Sequence, residues 1–149
     1  MVLTNLQGSN PEWLIDEIAG YYFPDMKVKN GFGLSKNLKL LRQQLIENQF
    51  KNGYRLYTKI KKSNKDFKLS EDEINFWGYQ LLEQNKKNEA LQVFQLNTLL
   101  FPNSSNVYDS YAEILEAMEN RKEAIINYKK SLELTPHNTN ASNYLKDKK

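Results

Sequence analysis

The sequence predicts an all-α protein, a right-handed α-solenoid built from helical hairpins. Small residues, aromatic rings and prolines recur in residues 71–138, and the members of every matched pair are 34 residues apart. The pairs are Gly78 with Ala112, Ala90 with Ala124, Phe94 with Tyr128, and Pro102 with Pro136. A fixed period of this length is typical of stacked helical repeats.

Each residue type in this pattern has its own physical reason. Small residues such as Gly78 and Ala90 let the two helices of a hairpin approach closely. Phe94 lies four residues after Ala90 on the same helix face, where its ring fills the groove. Pro102 follows the second helix, because a residue without an N–H ends a helix at little cost. The segment Ser70–Glu73 predicts a capping box at the start of the first helix.

The pattern resembles the tetratricopeptide repeat (TPR) family, and this resemblance covers residues 71–138. It implies two TPR hairpins, residues 71–104 and 105–138, with polar turns at Asn85–Asn88 and Asn120–Lys122. Ser131 has the small side chain that the family prefers late in the second helix. Asn97 departs from this preference, so we expect looser packing there.

Residues 35–70 predict a third, degenerate TPR-like hairpin. Leucines at helical spacing between residues 38 and 45 fit its first helix, and Gly53 followed by Tyr57 fits its second. Gly53 lies 37 residues before Ala90, so the loop to the next hairpin should contain three extra residues and no proline. Residues 66–69 should close this loop. Because stacked hairpins bury each other's open faces, about three are needed for stability.

The two ends of the chain predict capping elements. Residues 1–34 predict a capping helix and a loop, with Asn10 as the helix cap and Pro11 in the first turn. Trp13 and the aromatic run at residues 21–23 would either dock this helix on the hairpins or form an interface with a catalytic domain or a second copy. Residues 139–149 predict a short C-terminal capping helix with a charged, polar end.

A second resemblance concerns the order of these elements. It is similar to the C-terminal helical tail of some bacterial serine hydrolases of the penicillin-recognising or esterase type, mainly through Asn75–Leu82 and Asn106–Glu113. This implies an accessory domain that packs against a catalytic domain absent from this chain. The hydrolase motifs Ser-x-x-Lys and Gly-x-Ser-x-Gly do not occur.

Composition argues against catalysis. The chain has no cysteine and a single histidine, His137, which leaves no nucleophile–base pair and no metal-binding cluster of the usual types. We therefore predict no enzyme activity, no cofactor and no metal. No run of about 18 apolar residues predicts a membrane span. A complete chain would be cytoplasmic, whereas the tail of a secreted hydrolase would be periplasmic or exported.

The TPR resemblance implies that a protein or peptide binds to the concave surface formed by the first helices of the hairpins. On the two TPR hairpins the 34-residue register predicts the residues of that surface, namely Asp72, Asn75, Tyr79, Leu82, Asn106, Asp109, Glu113 and Glu116. Lys39 and Arg42 are the expected exposed equivalents on the degenerate hairpin. Asp109, Glu113 and Glu116, on the first helix of the last hairpin, oppose the clamping of a C-terminal carboxylate. We therefore expect a partner segment that is basic or of mixed charge. Merely solvated helix faces remain the alternative interpretation.

A row of cations on the second helix of the degenerate hairpin is a different candidate surface. Arg55, Lys59 and Lys62 share one helix face, with Lys61, Lys65 and Lys68 nearby. Such a row attracts nucleic acid electrostatically. It is more often a device for solubility, so the sequence does not favour nucleic acid as the partner. Homo-oligomerisation and contact with a hydrolase domain stay open.

Overall fold

The computed structural model describes residues 34–147 as seven α-helices, and no strand occurs among them. The all-α class is therefore confirmed for this part of the chain. The helices are α1 (Lys36–Glu47), α2 (Gly53–Ser63), α3 (Glu71–Glu83), α4 (Lys87–Leu100), α5 (Ser105–Ala117), α6 (Arg121–Leu134) and α7 (Thr139–Asp147). The N-terminal helix predicted from Asn10 and the aromatic run after it lie outside the described residues.

Three helix-to-helix turns share one hydrogen-bond pattern at the end of the first helix. The turns after α1, α3 and α5 each contain a residue in the left-handed region, namely Gln49 (φ 53°), Asn85 (φ 60°) and Glu119 (φ 62°). In each turn the next amide donates to a carbonyl five residues earlier, at N···O distances of 2.6, 2.8 and 2.8 Å. This bond pattern closes a helix C-terminus by satisfying carbonyls that the helix leaves unpaired.

The close approach predicted at Gly78 is present between α3 and α4. A Cβ atom added to Gly78 would lie 2.7 Å from two ring carbons of Phe94, closer than two carbons can approach. Ala112 and Tyr128 belong to one buried cluster in the next hairpin, α5–α6. The small residue and the ring of the repeat thus face each other because the ring fills the space that the small residue leaves.

The core runs between neighbouring helices. α3 packs on α4, α4 on α5, α5 on α6, and α6 on α7, while α2 contacts both α1 and α4. The largest fully buried side chains include Phe67, Phe94, Ile74 and Ile114. Burial of a side chain of this size is worth about 1.5–3 kcal/mol relative to exposure. The buried side chains form two clusters, and the partly buried Leu91 and Tyr111 pack against both.

The loop between α2 and α3 has the predicted extra length. It spans residues 64–70, whereas the loop between α4 and α5 spans residues 101–104. Phe67 is fully buried and Leu69 packs against the same core, so two apolar anchors hold the longer loop down. The prediction that residues 66–69 close this loop is confirmed.

The predicted capping box at Ser70–Glu73 is wrong. Ser70 is the N-cap residue of α3, but its side chain makes no capping hydrogen bond. The Glu73 carboxylate instead accepts from the Ser35 backbone N–H (3.1 Å) and the Ser35 hydroxyl (3.2 Å). Two donors at the start of α1 outcompete the local N–H, so Glu73 joins two hairpins rather than capping its own helix.

Asn97 is fully buried in α4. Its Nδ2 donates to the Glu71 carbonyl oxygen at 3.2 Å, while its Oδ1 is buried without a hydrogen-bond partner. Leaving a buried acceptor unpaired costs about 1–3 kcal/mol.

Within residues 34–147 no helix is both long and apolar enough to cross a membrane.

Candidate functional site

Hydrogen bonds join the first helices of successive hairpins in the order α1, α3, α5, α7. Glu73 on α3 accepts from Ser35, which precedes α1. Glu71 on α3 accepts from the Ser104 hydroxyl (2.9 Å) and from Asn106 Nδ2 on α5 (3.0 Å). These bonds involve side chains rather than backbone, so they depend on the identity of the residues. The predicted site residues of α3 and α5 therefore lie on adjacent helices.

Tyr79 connects α3 to α5. Its hydroxyl donates to Glu113 Oε2 at 2.5 Å and lies 3.1 Å from the Ser110 hydroxyl. Its ring also packs edge-on against Phe94, with the ring centroids 5.0 Å apart. Burial raises the pKa of Tyr79 above its ordinary value, and the hydrogen bond to Glu113 raises it further. The phenol is thus a fixed neutral donor, and Glu113 is held in place by it.

Two asparagines from the end of the described chain complete the network. Asn138 Nδ2 donates to Asp109 Oδ1 at 3.0 Å, and Asn140 Nδ2 donates to Asp109 Oδ2 at 2.8 Å. Asn140 also donates to Glu113 Oε1 at 2.9 Å. These donors are neutral amides, so they orient the carboxylates without cancelling their charge.

The charges of three carboxylates on α5 affect the same phenol, that of Tyr128. Tyr128 on α6 is 2% exposed, and burial raises its pKa. Negative charge on Glu113, Asp109 and Glu116 raises it further. The three carboxylates therefore form one region of negative charge beside Tyr128. We call Tyr79, Asp109, Glu113, Glu116 and Asn140 the acidic surface.

Other predicted site residues take less part in this arrangement. Lys39 and Asp72 are exposed, and Leu82 packs against the core. Asn75 is half-buried, with a buried Oδ1 that has no hydrogen-bond partner.

Arg42 occupies a different register from the one predicted. The buried leucines of α1, at 38, 41 and 45, lie 36 residues before the buried Ile74, Trp77 and Leu81 of α3. By this offset Arg42 corresponds to Gly78, and Gln43 corresponds to Tyr79. The three extra residues of the loop between α2 and α3 lengthen the 34-residue period, and Leu45 lies one residue closer to Gly53 than Leu81 does to Ala90, which leaves an offset of 36.

Sequence reasoning missed several residues of this surface. Asn140 lies 34 residues after Asn106, so extending the register past residue 138 would have found it. Phe76 lies between Asp72 and Tyr79 on the same helix face and is 43% exposed. Leu40, at the equivalent position of α1, is 40% exposed. Exposed apolar side chains thus occupy equivalent positions of α1 and α3, and Phe76 lies one turn before Tyr79 of the acidic surface. Asn138 lies 34 residues after Ser104, so the same extension would have found it, whereas Ser110 had no signal in the sequence.

The cations of α2 form a separate surface. Arg55, Lys59 and Lys62 are exposed on one face, and we call these three residues the basic row. Tyr54 flanks it, with 53% of its surface exposed. Lys61 is held against Tyr57, with its Nζ 3.0 Å from the phenol oxygen and 5.4 Å from the ring centroid.

The chain has a single histidine and no cysteine. His137 is exposed in the turn between α6 and α7. No group of three His, Cys, Asp or Glu side chains within residues 34–147 is arranged to hold a metal. The acidic surface can accept hydrogen bonds and attract cations.

Comparison with protein-family models and with curated proteins found no match to this chain.

Proposed function

We propose that this protein is an interaction module of the TPR type that binds a peptide or protein segment with basic and apolar side chains. The ligand would lie along the exposed side of α1, α3 and α5, the concave face of a right-handed solenoid. The observation that carries this proposal is the hydrogen-bonded chain from Tyr79 through Glu113 to Asn140. It fixes two carboxylates beside an exposed phenylalanine, Phe76.

The chemistry of the two neighbouring surfaces defines the ligand. Lysine or arginine side chains would approach Asp109 and Glu113, whose hydrogen-bond partners are neutral groups. Each carboxylate oxygen can accept more than one hydrogen bond, so capacity for a charged donor remains. An apolar ligand side chain would cover Phe76 and Leu40. Because side chains are already held in place, less conformational entropy is lost on binding.

Fluorescence polarisation tests this function with two labelled peptide pools that share leucine and phenylalanine content. One pool carries lysine and arginine, and the other carries glutamate and aspartate at the same positions. We expect binding of the basic pool alone, weakened at least about tenfold by Asp109→Asn with Glu113→Gln. The matched control, Glu119→Gln with Glu123→Gln, removes two exposed carboxylates elsewhere. Equal losses in both variants, or binding of the acidic pool, would refute the assignment.

A second candidate function is that of an accessory domain for a serine hydrolase of the penicillin-recognising or esterase type. Exposed apolar side chains favour it, namely Leu40, Ile46 and Phe76 on α1 and α3. Exposed apolar patches mark docking surfaces, and Leu40 and Phe76 occupy equivalent positions of their helices. The two functions differ in one measurement: Phe76→Ser should disrupt docking to a hydrolase domain even at high salt, whereas peptide binding by carboxylates is salt-sensitive.

A further inference from the structure

The described chain is divided into two parts of opposite charge. Residues 34–70 contain ten Lys and Arg against two Asp and Glu. Residues 71–147 contain seven Lys and Arg against twelve Asp and Glu. The near-neutral balance of the whole chain conceals this division. A molecule with such a charge distribution attracts other copies of itself in the orientation that brings unlike ends together.

The basic row is available for an intermolecular contact. The side chains of Arg55, Lys59 and Lys62 are exposed and form no ion pair within the described part of the chain, where Lys130–Glu133 is the one ion pair seen. The opposite side of α2 is occupied, since Leu56 and Ile60 pack against the core. The helix therefore cannot insert into a bilayer by its apolar side, and its free face offers three cations flanked by Tyr54.

The spacing of the two charged rows is identical. Arg55, Lys59 and Lys62 occupy positions i, i+4 and i+7 of α2, and Asp109, Glu113 and Glu116 occupy positions i, i+4 and i+7 of α5. At a rise of about 1.5 Å per residue, each row spans about 10 Å. Placed side by side in parallel, every cation lies opposite a carboxylate.

We propose that the basic row of one copy docks on the acidic surface of a second copy. The contact is heterologous, because α2 and α5 are different elements, so each bound pair keeps one free basic row and one free acidic surface. Further copies can then add in the same way. The inference rests on the proposed function in one respect, that the acidic surface accepts basic ligands. Self-association would compete with peptide for that surface.

The expected association is weak and salt-dependent. Ion pairs between exposed groups are individually weak and are screened by salt, with a Debye length of about 10 Å at 0.1 M. Glu113 and Asp109 are half-buried and already oriented, which favours the contact over one between two mobile side chains. Association should therefore grow with protein concentration at low ionic strength and disappear at high ionic strength.

Sedimentation equilibrium of the full chain tests the proposal. At about 50 mM NaCl we expect the average molar mass to rise with concentration, and at about 500 mM to return to that of the monomer. Lys59→Glu with Lys62→Glu should weaken association at least about tenfold. The matched control, Lys122→Glu with Lys129→Glu, makes the same charge change at exposed positions of α6 and should associate as the native chain does.

The decisive experiment reverses the charge of each surface in a separate variant and then mixes the two variants. Glu113→Lys with Glu116→Lys should also abolish self-association, but mixing it with Lys59→Glu with Lys62→Glu should restore association, because both contacts in the mixture pair unlike charges. Circular dichroism checks that each variant is folded. Should the lysine variant not fold, Glu113→Gln with Glu116→Gln retains an acceptor oxygen at each position and must weaken association more than the α6 control does, although less than the basic-row variant, because it removes charge without reversing it.

Several outcomes would overturn the proposal. A monomer at every concentration and salt, a mixture that fails to associate, or association lost equally in the α6 control would each do so. Binding of single-stranded RNA by the basic row, with no self-association of nuclease-treated protein, would assign the row to nucleic acid instead. The proposed function fails separately: the basic-row variant keeps an intact acidic surface and should still bind the basic peptide pool.

Discussion

α2 and α4 are each the second helix of a hairpin, yet they differ in burial. None of the residues of α2 is fully buried, whereas α4 buries Ala90, Val93, Phe94, Leu96, Asn97 and Thr98. α4 contacts α2, α3 and α5, and α2 contacts α1 and α4. The burial of the second helix of a hairpin therefore depends on how many neighbouring helices pack against it.

The difference in packing is accompanied by a difference in charge. The exposed face of α2 carries Arg55, Lys59 and Lys62, while that of α4 carries Gln92, Gln95 and Leu99. Burial restricts residue type because a charge loses its hydration in the core. α2 is free of that restriction over most of its circumference, and its exposed side chains are free to serve binding rather than folding.

The largest expected effect concerns the equivalent rings of these helices. Phe94→Ala should lower the free energy of unfolding by about 3–5 kcal/mol, because the ring is fully buried. Tyr57→Ala should cost less than half as much, because Tyr57 is half-buried and partly solvated. Urea denaturation followed by circular dichroism measures both. Equal losses would mean that the α1–α2 hairpin is packed as firmly as its neighbour.

The glycines of the same two hairpins offer the next comparison. Gly78→Ala places a methyl group 2.7 Å from the Phe94 ring, so overpacking should destabilise the protein by about 1–3 kcal/mol despite the better helix propensity of alanine. Gly53→Ala meets flexible leucine methyl groups at 3.3 Å and should change stability by less than about 1 kcal/mol. Thermal unfolding of both variants checks this order. A stabilised Gly78→Ala would contradict the close packing of α3 on α4.

Much of the fold follows from local spacing. The 34-residue period predicts the helices of residues 71–138. The residues that form this period, such as Gly78 and Phe94, contact each other within one hairpin, so their spacing can be seen in the local sequence. Contacts between hairpins were harder to predict from the sequence. Glu73 bonds to Ser35, 38 positions earlier, and no local pattern distinguishes this from a capping box. Tyr79 and Glu113 were both predicted at the site, but their mutual hydrogen bond depends on how adjacent hairpins stack.

Removing one hydroxyl tests the link between α3 and α5. Tyr79→Phe keeps the ring against Phe94 and deletes the donor to Glu113, so it should cost about 1–3 kcal/mol, as expected for a hydrogen bond to a charged group. A double-mutant cycle with Glu113→Gln isolates the coupling. Tyr111→Phe is the control, because its half-buried ring lies on α5 outside the Tyr79–Glu113 contact. Additive effects of the two changes would show that the bond contributes nothing to stability.

Alkaline pH should destabilise the protein through two tyrosines. Burial raises the pKa of Tyr79 and of Tyr128 in the folded state, so both keep their protons above pH 10, where the unfolded chain releases them. The folded state then binds more protons than the unfolded state, and the free energy of unfolding falls as pH rises. Urea denaturation at pH 9 and pH 11 measures the fall, with Tyr128→Phe as the control that should reduce it. A fall unchanged in Tyr128→Phe would remove Tyr128 as a cause.

The smallest expected effect on stability is at the basic row. Lys59→Glu with Lys62→Glu alters two exposed side chains that contact no carboxylate in residues 34–147, so the free energy of unfolding should change by less than about 0.5 kcal/mol. The same change inverts the charge of the α2 face. Stability should therefore stay constant at about 500 mM NaCl, where screening also suppresses association. A large loss of stability at that salt would show that these lysines support the fold, and α2 would then resemble α4 after all.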